Sequence, residues 1–289
     1  MRQSFVRVSP LTPIYMTVAI CLGFVVRSWR WKLLLPHGIP IGDSLGAIVL
    51  GYAANNVLPA RLGEIVRAQA IGQKCKISRS LALASIFIER VLDGLVLTAL
   101  LYLGIGSNPI PQWASSVGVL GLTLFGGALT AIFLLAITRL LWEPKLARLS
   151  SAKLRNVLEQ FLKGLTLLWR TSFLPLTILG LSLTIWLIEG ITYYIAIQAF
   201  ELQVPQTAAL FVMGLVNLGI LIPSAPGYLG AFHYFGTLAL SAWQIPTEEA
   251  LVCIVVIHAC LYLPTTIWGL RYIPYFGFDS LGKLSSKVR

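Results

Sequence analysis

Val57-Leu58-Pro59-Ala60-Arg61-Leu62-Gly63 and Leu221-Ile222-Pro223-Ser224-Ala225-Pro226-Gly227 each set a Pro-x-x-x-Gly break between short apolar stretches. Proline removes a backbone donor and glycine permits a tight reversal, so each stretch is expected to stop partway through a bilayer, turn and come back. Irregular backbone at membrane depth is tolerated only where protein buries it or a wet cavity borders it. Paired interruptions in two halves of one chain therefore point to a substrate site of transporter type. Pro59, Gly63, Pro223, Pro226, Gly227 and Gly230 are the expected hinge or break residues.

The surrounding composition requires a membrane. Of 289 residues, 57% are hydrophobic and 11% charged, and the mean hydropathy is +0.81, far from soluble domains. Lys and Arg outnumber Asp and Glu by 22 to 11, but the excess lies in loops beside apolar segments. That distribution reads as topology and anionic lipid and excludes nucleic acid as a partner. Cys21, Cys75, Cys253 and Cys260 form no Cys-x-x-Cys pair and are read as small hydrophobes. Arg27-Ser28-Trp29-Arg30-Trp31-Lys32 stands where a signal peptide would end in small residues, so the first segment reads as a retained helix with an interfacial Trp/Arg anchor.

Apolar segments fall at about 11–27, 42–58, 61–77, 79–105, 114–139, 173–200, 206–222, 226–244 and 248–271. The four that abut the breaks are short or polar for a span, which needs about 20 apolar residues, and read as two helical hairpins. Basic residues cluster at 27–32, 61–79, 139–170 and at the C-terminus, whereas 105–113, 201–205 and 241–249 hold none but include Glu201, Glu248 and Glu249. By the positive-inside rule the first hairpin dips in from the cytoplasm and the second from outside. The expectation is an all-α, multi-pass plasma (inner) membrane protein forming one transmembrane domain over 1–289. Its inverted-topology repeats, at about 42–140 and 173–271, each hold a re-entrant hairpin. A cytoplasmic amphipathic helix over 143–170, with Leu146, Leu149, Val157, Phe161, Leu165 and Leu168 on one side, joins them. This topology puts the C-terminus in the cytoplasm and the N-terminus, with Arg2 and Arg7, outside.

A charge at the centre of a membrane helix costs about 2.5–3.5 kcal/mol on insertion scales and usually faces a cavity or a partner. Ser85, Glu89 and Asp93 form one stripe, with Arg90 three residues from Asp93; Arg61, Glu64 and Arg67 recur every third residue. Asn55 and Asn56 precede the first break and Asn217 the second; Tyr228 and His233 follow the second. Glu189 shares a face with Trp186 and Tyr193, and His258 with Tyr262. These thirteen polar residues (Asn55, Asn56, Arg61, Glu64, Arg67, Glu89, Arg90, Asp93, Glu189, Asn217, Tyr228, His233, His258) are the candidate substrate-binding set. A negative head group would be held mainly by Arg61, Arg67 and Arg90, helped by the positive end of the helix starting near residue 61. Glu89, Arg90 and Asp93 equally fit a satisfied structural network, Arg67 a snorkelling side chain, and the two histidines ordinary packing.

Arg30-Trp31-Lys32-Leu33-Leu34-Leu35, then Asn55 to Arg67, then Ser78-Arg79-Ser80 leading into Glu89-Arg90-Val91-Leu92-Asp93-Gly94, together with Pro223 to Gly230, resemble the lysylphosphatidylglycerol synthase transmembrane family, also called flippase-like. The resemblance covers about residues 25–272. It implies translocation between leaflets of a lipid with a phosphate-containing head group, such as an aminoacyl-phosphatidylglycerol or a polyprenyl-phosphate-linked lipid. It also implies membrane lipids with anionic or phosphate head groups as partners, alongside a lipid-synthesising or glycosyltransferase enzyme. The chain ends soon after its last helix, so the soluble aminoacyl-transfer domain of bifunctional members is not expected, nor lysyl-lipid synthesis. The residues leave two alternatives open, a secondary transporter of a small solute and a membrane-embedded lipid-modifying enzyme. Against the enzyme, there is no His-rich metal spacing, nucleophile elbow or phosphate-loop glycine pattern, so no catalytic residue, metal or cofactor is expected.

Overall fold

The computed structural model describes residues 9–36, 38–59, 61–106, 111–147, 149–222 and 225–277. The break residue Pro223 lies outside them, as do Arg2, Arg7, Lys283, Lys287 and Arg289. All regular structure among the described residues is helical: α1 Thr12–Leu34, α2 Ile41–Val57, α3 Gly63–Lys74, α4 Arg79–Gly104, α5 Gln112–Ile137, α6 Arg139–Ala147, α7 Ala152–Thr166, α8 Leu174–Ala199, α9 Ala208–Gly219, α10 Ala231–Leu240, α11 Thr247–Leu270 and α12 Ile273–Phe276. Four of these, α1, α5, α8 and α11, are long and apolar enough to cross a membrane. α4 is as long as α5 but carries Glu89, Arg90 and Asp93.

The helix ends follow local chemistry. Pro13 starts α1, where its missing N–H costs nothing. Pro59 holds the preceding residue extended, and Leu58 has φ −95° and ψ 145°, which ends α2. α2 and α3 then fold back on each other, so that Gly51 lies against Gly63 and Arg67. At the second break α9 ends at Gly219, a single 3-10 turn spans Pro226–Tyr228, and α10 begins at Ala231. The segment expected over 226–244 is thus a helix only from 231 to 240, followed by a 3-10 turn at Ser241–Trp243.

The two halves of the chain interlock. α4 lies against α9 and α11 against α2, while α1 runs along α8. Both crossings are tight enough to require glycine: a Cβ on Gly104 would meet the Phe211 backbone nitrogen at 2.2 Å, and one on Gly269 the Val49 carbonyl at 2.4 Å. Outward faces are apolar, including Leu120, Leu122 and Leu124 of α5 and Leu176, Leu183 and Leu187 of α8. Such a continuous apolar surface suits hydrocarbon rather than water.

Two expectations need correction. The first segment does not stop at residue 27. α1 continues to Leu34, and Arg27, Arg30 and Trp31 are buried rather than interfacial; only Trp29 and Lys32 of that run face outward. The helix continues because both arginines find carboxylates inside the bundle. The connection over 143–170 is also not one helix. α6 and α7 are separate, with Pro144 inside the first and Ser151 capping the second by accepting from the Leu154 N–H at 3.4 Å. α7 packs on α4, where a Cβ on Gly164 would meet the Ala84 side chain at 2.6 Å. Its outer face mixes Lys153 and Asn156 with Leu154 and Val157, the last of which was expected on the apolar side, and the Lys163 hydrogen bond, 2.5 Å long, holds the Glu159 carboxyl below its ordinary range.

Candidate functional site: an arginine-lined cavity where the helix breaks meet

The Ser85, Glu89 and Asp93 stripe of α4 faces α1. Trp31 Nε1 donates to Ser85 Oγ at 2.9 Å. Arg30 is the hub between the two helices, with its Nε on Glu89 Oε1 at 3.2 Å and its two terminal nitrogens on the two Asp93 oxygens, one at 3.2 Å. Arg30 also donates to Ser182 Oγ of α8 at 2.7 Å, and Trp186 Nε1 of α8 donates to Asp93 at 3.0 Å. Arg67 lies 2.7 Å from Glu89 Oε2 without the alignment of a hydrogen bond, and its guanidinium stacks over Trp31 at 3.7 Å. Arg90 reaches Asp93 Oδ2 at 3.4 Å.

In front of this network is a cavity of about 130 Å³, well above the roughly 10–15 Å³ that holds one water. α1 contributes Arg27, α2 contributes Tyr52, Asn55 and Asn56, and the first break and α3 contribute Arg61, Glu64 and Arg67. Arg90 of α4, Glu189 of α8, Asn217 of α9, Tyr228 of the second break and His258, Tyr262 and Thr265 of α11 complete its polar wall.

Both breaks reach this cavity. Arg61 Nη1 lies 3.5 Å from the Ile220 carbonyl at the end of α9, and its guanidinium is 5.7 Å from the Tyr228 ring centre. The Asn56 carbonyl accepts from Tyr262 Oη at 3.2 Å and crowds Gly227, where a Cβ would come within 3.2 Å. Arg61 (φ 56°) and Tyr228 (φ 59°) both adopt left-handed backbone, which non-glycine residues enter at a cost and which clusters at functional sites.

The sequence-derived candidates divide by position. Asn55, Asn56, Arg61, Glu64, Arg67, Arg90, Glu189, Asn217, Tyr228 and His258 line the cavity, whereas Glu89, Asp93 and His233 do not. Glu89 and Asp93 instead hold the arginines from behind. His233 sits 3.3 Å from His258, whose other nitrogen meets the Gly227 carbonyl at 2.9 Å. Asn55 has a second role, since its Oδ1 accepts the Gly63 N–H at 2.7 Å and so caps α3 from the facing helix. Asn217 donates to Glu189 at 3.2 Å. Of the break residues, Pro59, Pro226 and Gly230 are exposed, while Gly63 and Gly227 are buried against neighbouring backbone.

Arg27 and Arg30 belong to the site region and were not among the candidates. Arg27 donates to Glu189 at 2.7 Å and packs its guanidinium between the rings of Trp186 (4.8 Å) and Tyr52 (5.6 Å). The signal was present: Phe24, Arg27, Ser28 and Trp31 recur at helical spacing, so one face of α1 carries both charge and bulk.

Five guanidinium groups, those of Arg27, Arg30, Arg61, Arg67 and Arg90, gather with four carboxylates, those of Glu64, Glu89, Asp93 and Glu189, leaving one positive charge in excess in this group. The positive residues are also under-used. Arg27 Nη1, Arg61 Nε, Arg67 Nε and Arg90 Nε are buried without a hydrogen-bond acceptor among the described residues. A buried donor left unmade costs about 1–3 kcal/mol, so acceptors brought to these guanidinium groups would lower that cost.

A family model described as the lysylphosphatidylglycerol synthase TM region matches residues 2–269. The chain belongs to this family. A UPF0104 membrane protein of Methanocaldococcus jannaschii is 28% identical over 219 residues, 74% of this chain and 90% of the relative. A UPF0104 membrane protein of Methanothermobacter thermautotrophicus is 23% identical over 303 residues, covering 96% and 89%. The glycosyltransferase AglD of Haloferax volcanii is 25% identical over 269 residues, 79% of this chain but 42% of that protein. No solved structure matches. With its four long apolar helices, this member of the lysylphosphatidylglycerol synthase transmembrane family is an integral membrane protein.

Proposed function

We propose that this protein carries a lipid with a phosphate-containing head group between membrane leaflets, as a flippase-like transporter rather than an enzyme. One observation carries the reading: four arginines with unpartnered buried N–H groups line a cavity at the place where the two helix breaks meet. Phosphate oxygens are the acceptors that guanidinium forks fit best. The single excess positive charge suits a phosphodiester, the chemistry that aminoacyl-phosphatidylglycerol and polyprenyl-phosphate sugars share. The name of the AglD relative, a glycosyltransferase, is compatible with the second of these and with a lipid-modifying enzyme as partner.

In this reading α2–α3 and α9–α10 are re-entrant hairpins of two inverted repeats, the first entering from the cytoplasm, with α6 and α7 on the cytoplasmic side of the plasma membrane. Its support is the interlocking of α4 with α9 and α11 with α2, the contact between break tips, and the loop charges. Rocking of one repeat against the other would open the cavity alternately to each side.

The test is translocation of a fluorescent phosphatidylglycerol in proteoliposomes. Each charge-assisted hydrogen bond is worth about 1.5–3 kcal/mol, so Arg61→Ala combined with Arg90→Ala is expected to slow translocation by about tenfold or more while the protein remains monodisperse. Unchanged translocation in that double variant overturns the assignment of the site.

A further inference from the structure

A second concavity lies on the outside of the bundle, between α1 and α11. Thr17, Ile20 and Cys21 form one side of it; Pro264, Thr265 and Trp268 form the other. Ile20 and Thr265 also line the arginine cavity, so both side chains border the outer groove and the inner chamber at that level. Toward Trp268 the partition is Phe24, which packs edge-on against Trp268 at 5.7 Å on the groove side and against Tyr52 at 5.1 Å on the cavity side. The groove's exposed lining is mostly apolar, with Arg271 at the end of α11, and the cavity behind it is charged.

We propose that the α1–α11 groove holds one hydrocarbon chain of the lipid whose head group occupies the cavity, and that the head group enters sideways between Ile20 and Thr265. The inference rests on the lipid-carrier reading and adds to it the route of the tail and the side of entry. An apolar chain gains nothing by leaving hydrocarbon for a wet chamber, so a carrier must keep the tail outside while the head group moves in. The groove meets that need because it adjoins the cavity directly.

Dimensions and chain chemistry agree. From Pro264 to Arg271 the helix rises about 10 Å, against roughly 15 Å for half of a hydrocarbon core, which accommodates one chain lying along the helix. Pro264 offers no N–H to the carbonyl four residues earlier, so α11 is weakest against bending beside the junction. A bend there would change the distance between Thr265 and Ile20.

The test uses the full chain in phosphatidylcholine vesicles with a trace of phosphatidylglycerol bearing a diazirine on one acyl chain; adducts are mapped by mass spectrometry after illumination. The expected result is labelling of residues 17–21 and 263–268 several-fold above that of Leu120 and Leu124 on the lipid-facing side of α5. That excess should fall to the α5 level in the Arg61→Ala, Arg90→Ala double variant. A groove labelled no more than α5 overturns the proposal. An excess that persists in the double variant overturns the link between tail and head group. As an independent check, Ile20→Trp fills the junction and is expected to bring translocation to background while leaving the protein monodisperse; normal translocation counts against entry at this point. Labelling is read whether or not translocation is detected, so failure of the carrier reading and failure of the groove give different results.

Discussion

Asp93→Ala is expected to destabilise the protein by about 3–5 kcal/mol, the range for removing one partner of a buried ion pair. Asp93 is buried and receives Arg30 through both oxygens, Arg90 at 3.4 Å and Trp186 at 3.0 Å. Without it, Arg30 and Arg67 share Glu89 while Arg90 loses its Asp93 ion pair, and burying the uncompensated charge is what costs. Asp93→Asn keeps the shape and part of the hydrogen bonding, so its loss should be intermediate. Removing both charges with Arg30→Met and Asp93→Leu should recover much of the stability, because an apolar pair of similar volume often replaces a buried ion pair at little cost. Unfolding in mixed micelles with increasing sodium dodecyl sulfate measures all four proteins. A double variant no better than Asp93→Ala would show that the charge balance is not what holds α1 to α4. If the double variant also recovers lipid translocation, Arg30 and Asp93 are scaffold and the cavity arginines suffice.

The second large effect is expected at Gly63. A Cβ there would sit 1.9 Å from the Gly51 carbonyl and 2.5 Å from Asn55 Oδ1, so Gly63→Ala forces α2 and α3 apart. Overpacking typically costs about 1–3 kcal/mol, and here it also disturbs the Asn55 cap on the Gly63 N–H and the position of Arg67 above Trp31. Both unfolding and translocation should therefore be affected, the second beyond what the stability loss explains. Gly126→Ala and Gly180→Ala are the matched controls, since nothing lies within 4 Å of a Cβ at either; they should unfold like the native chain and match it in the translocation assay of the proposed function. A Gly63→Ala protein indistinguishable from those controls would refute the close hairpin.

Most helices were legible because their apolar runs are long and Pro or Gly marks their ends. The tip at 58–62 was visible for the same reason, since Pro59 acts on its neighbour through local sterics. Arg27 and Arg30 were misread as an anchor because a basic cluster after an apolar run has two physical outcomes, contact with the interface or pairing inside, and the partner carboxylates lie more than fifty residues away in sequence. The stripe of Ser85, Glu89 and Asp93 was correctly seen as one face. What that face meets, α1 rather than the chamber, depends on tertiary packing that helical periodicity does not encode. The split between α6 and α7 was hidden because the apolar spacing runs through it, although Pro144 was a marker of interruption.

The paired left-handed backbones of Arg61 and Tyr228 have a mechanical consequence. Each conformation is disfavoured by about 1–3 kcal/mol and is held in part by the stacking of one residue on the other. In the proposed rocking motion, pulling the tips apart would lose that contact and at the same time let two cramped torsions unwind, so the strain stored in the joined arrangement would offset part of the cost of parting it. An anion that drew Arg61 off the tyrosine ring would act on both sides together.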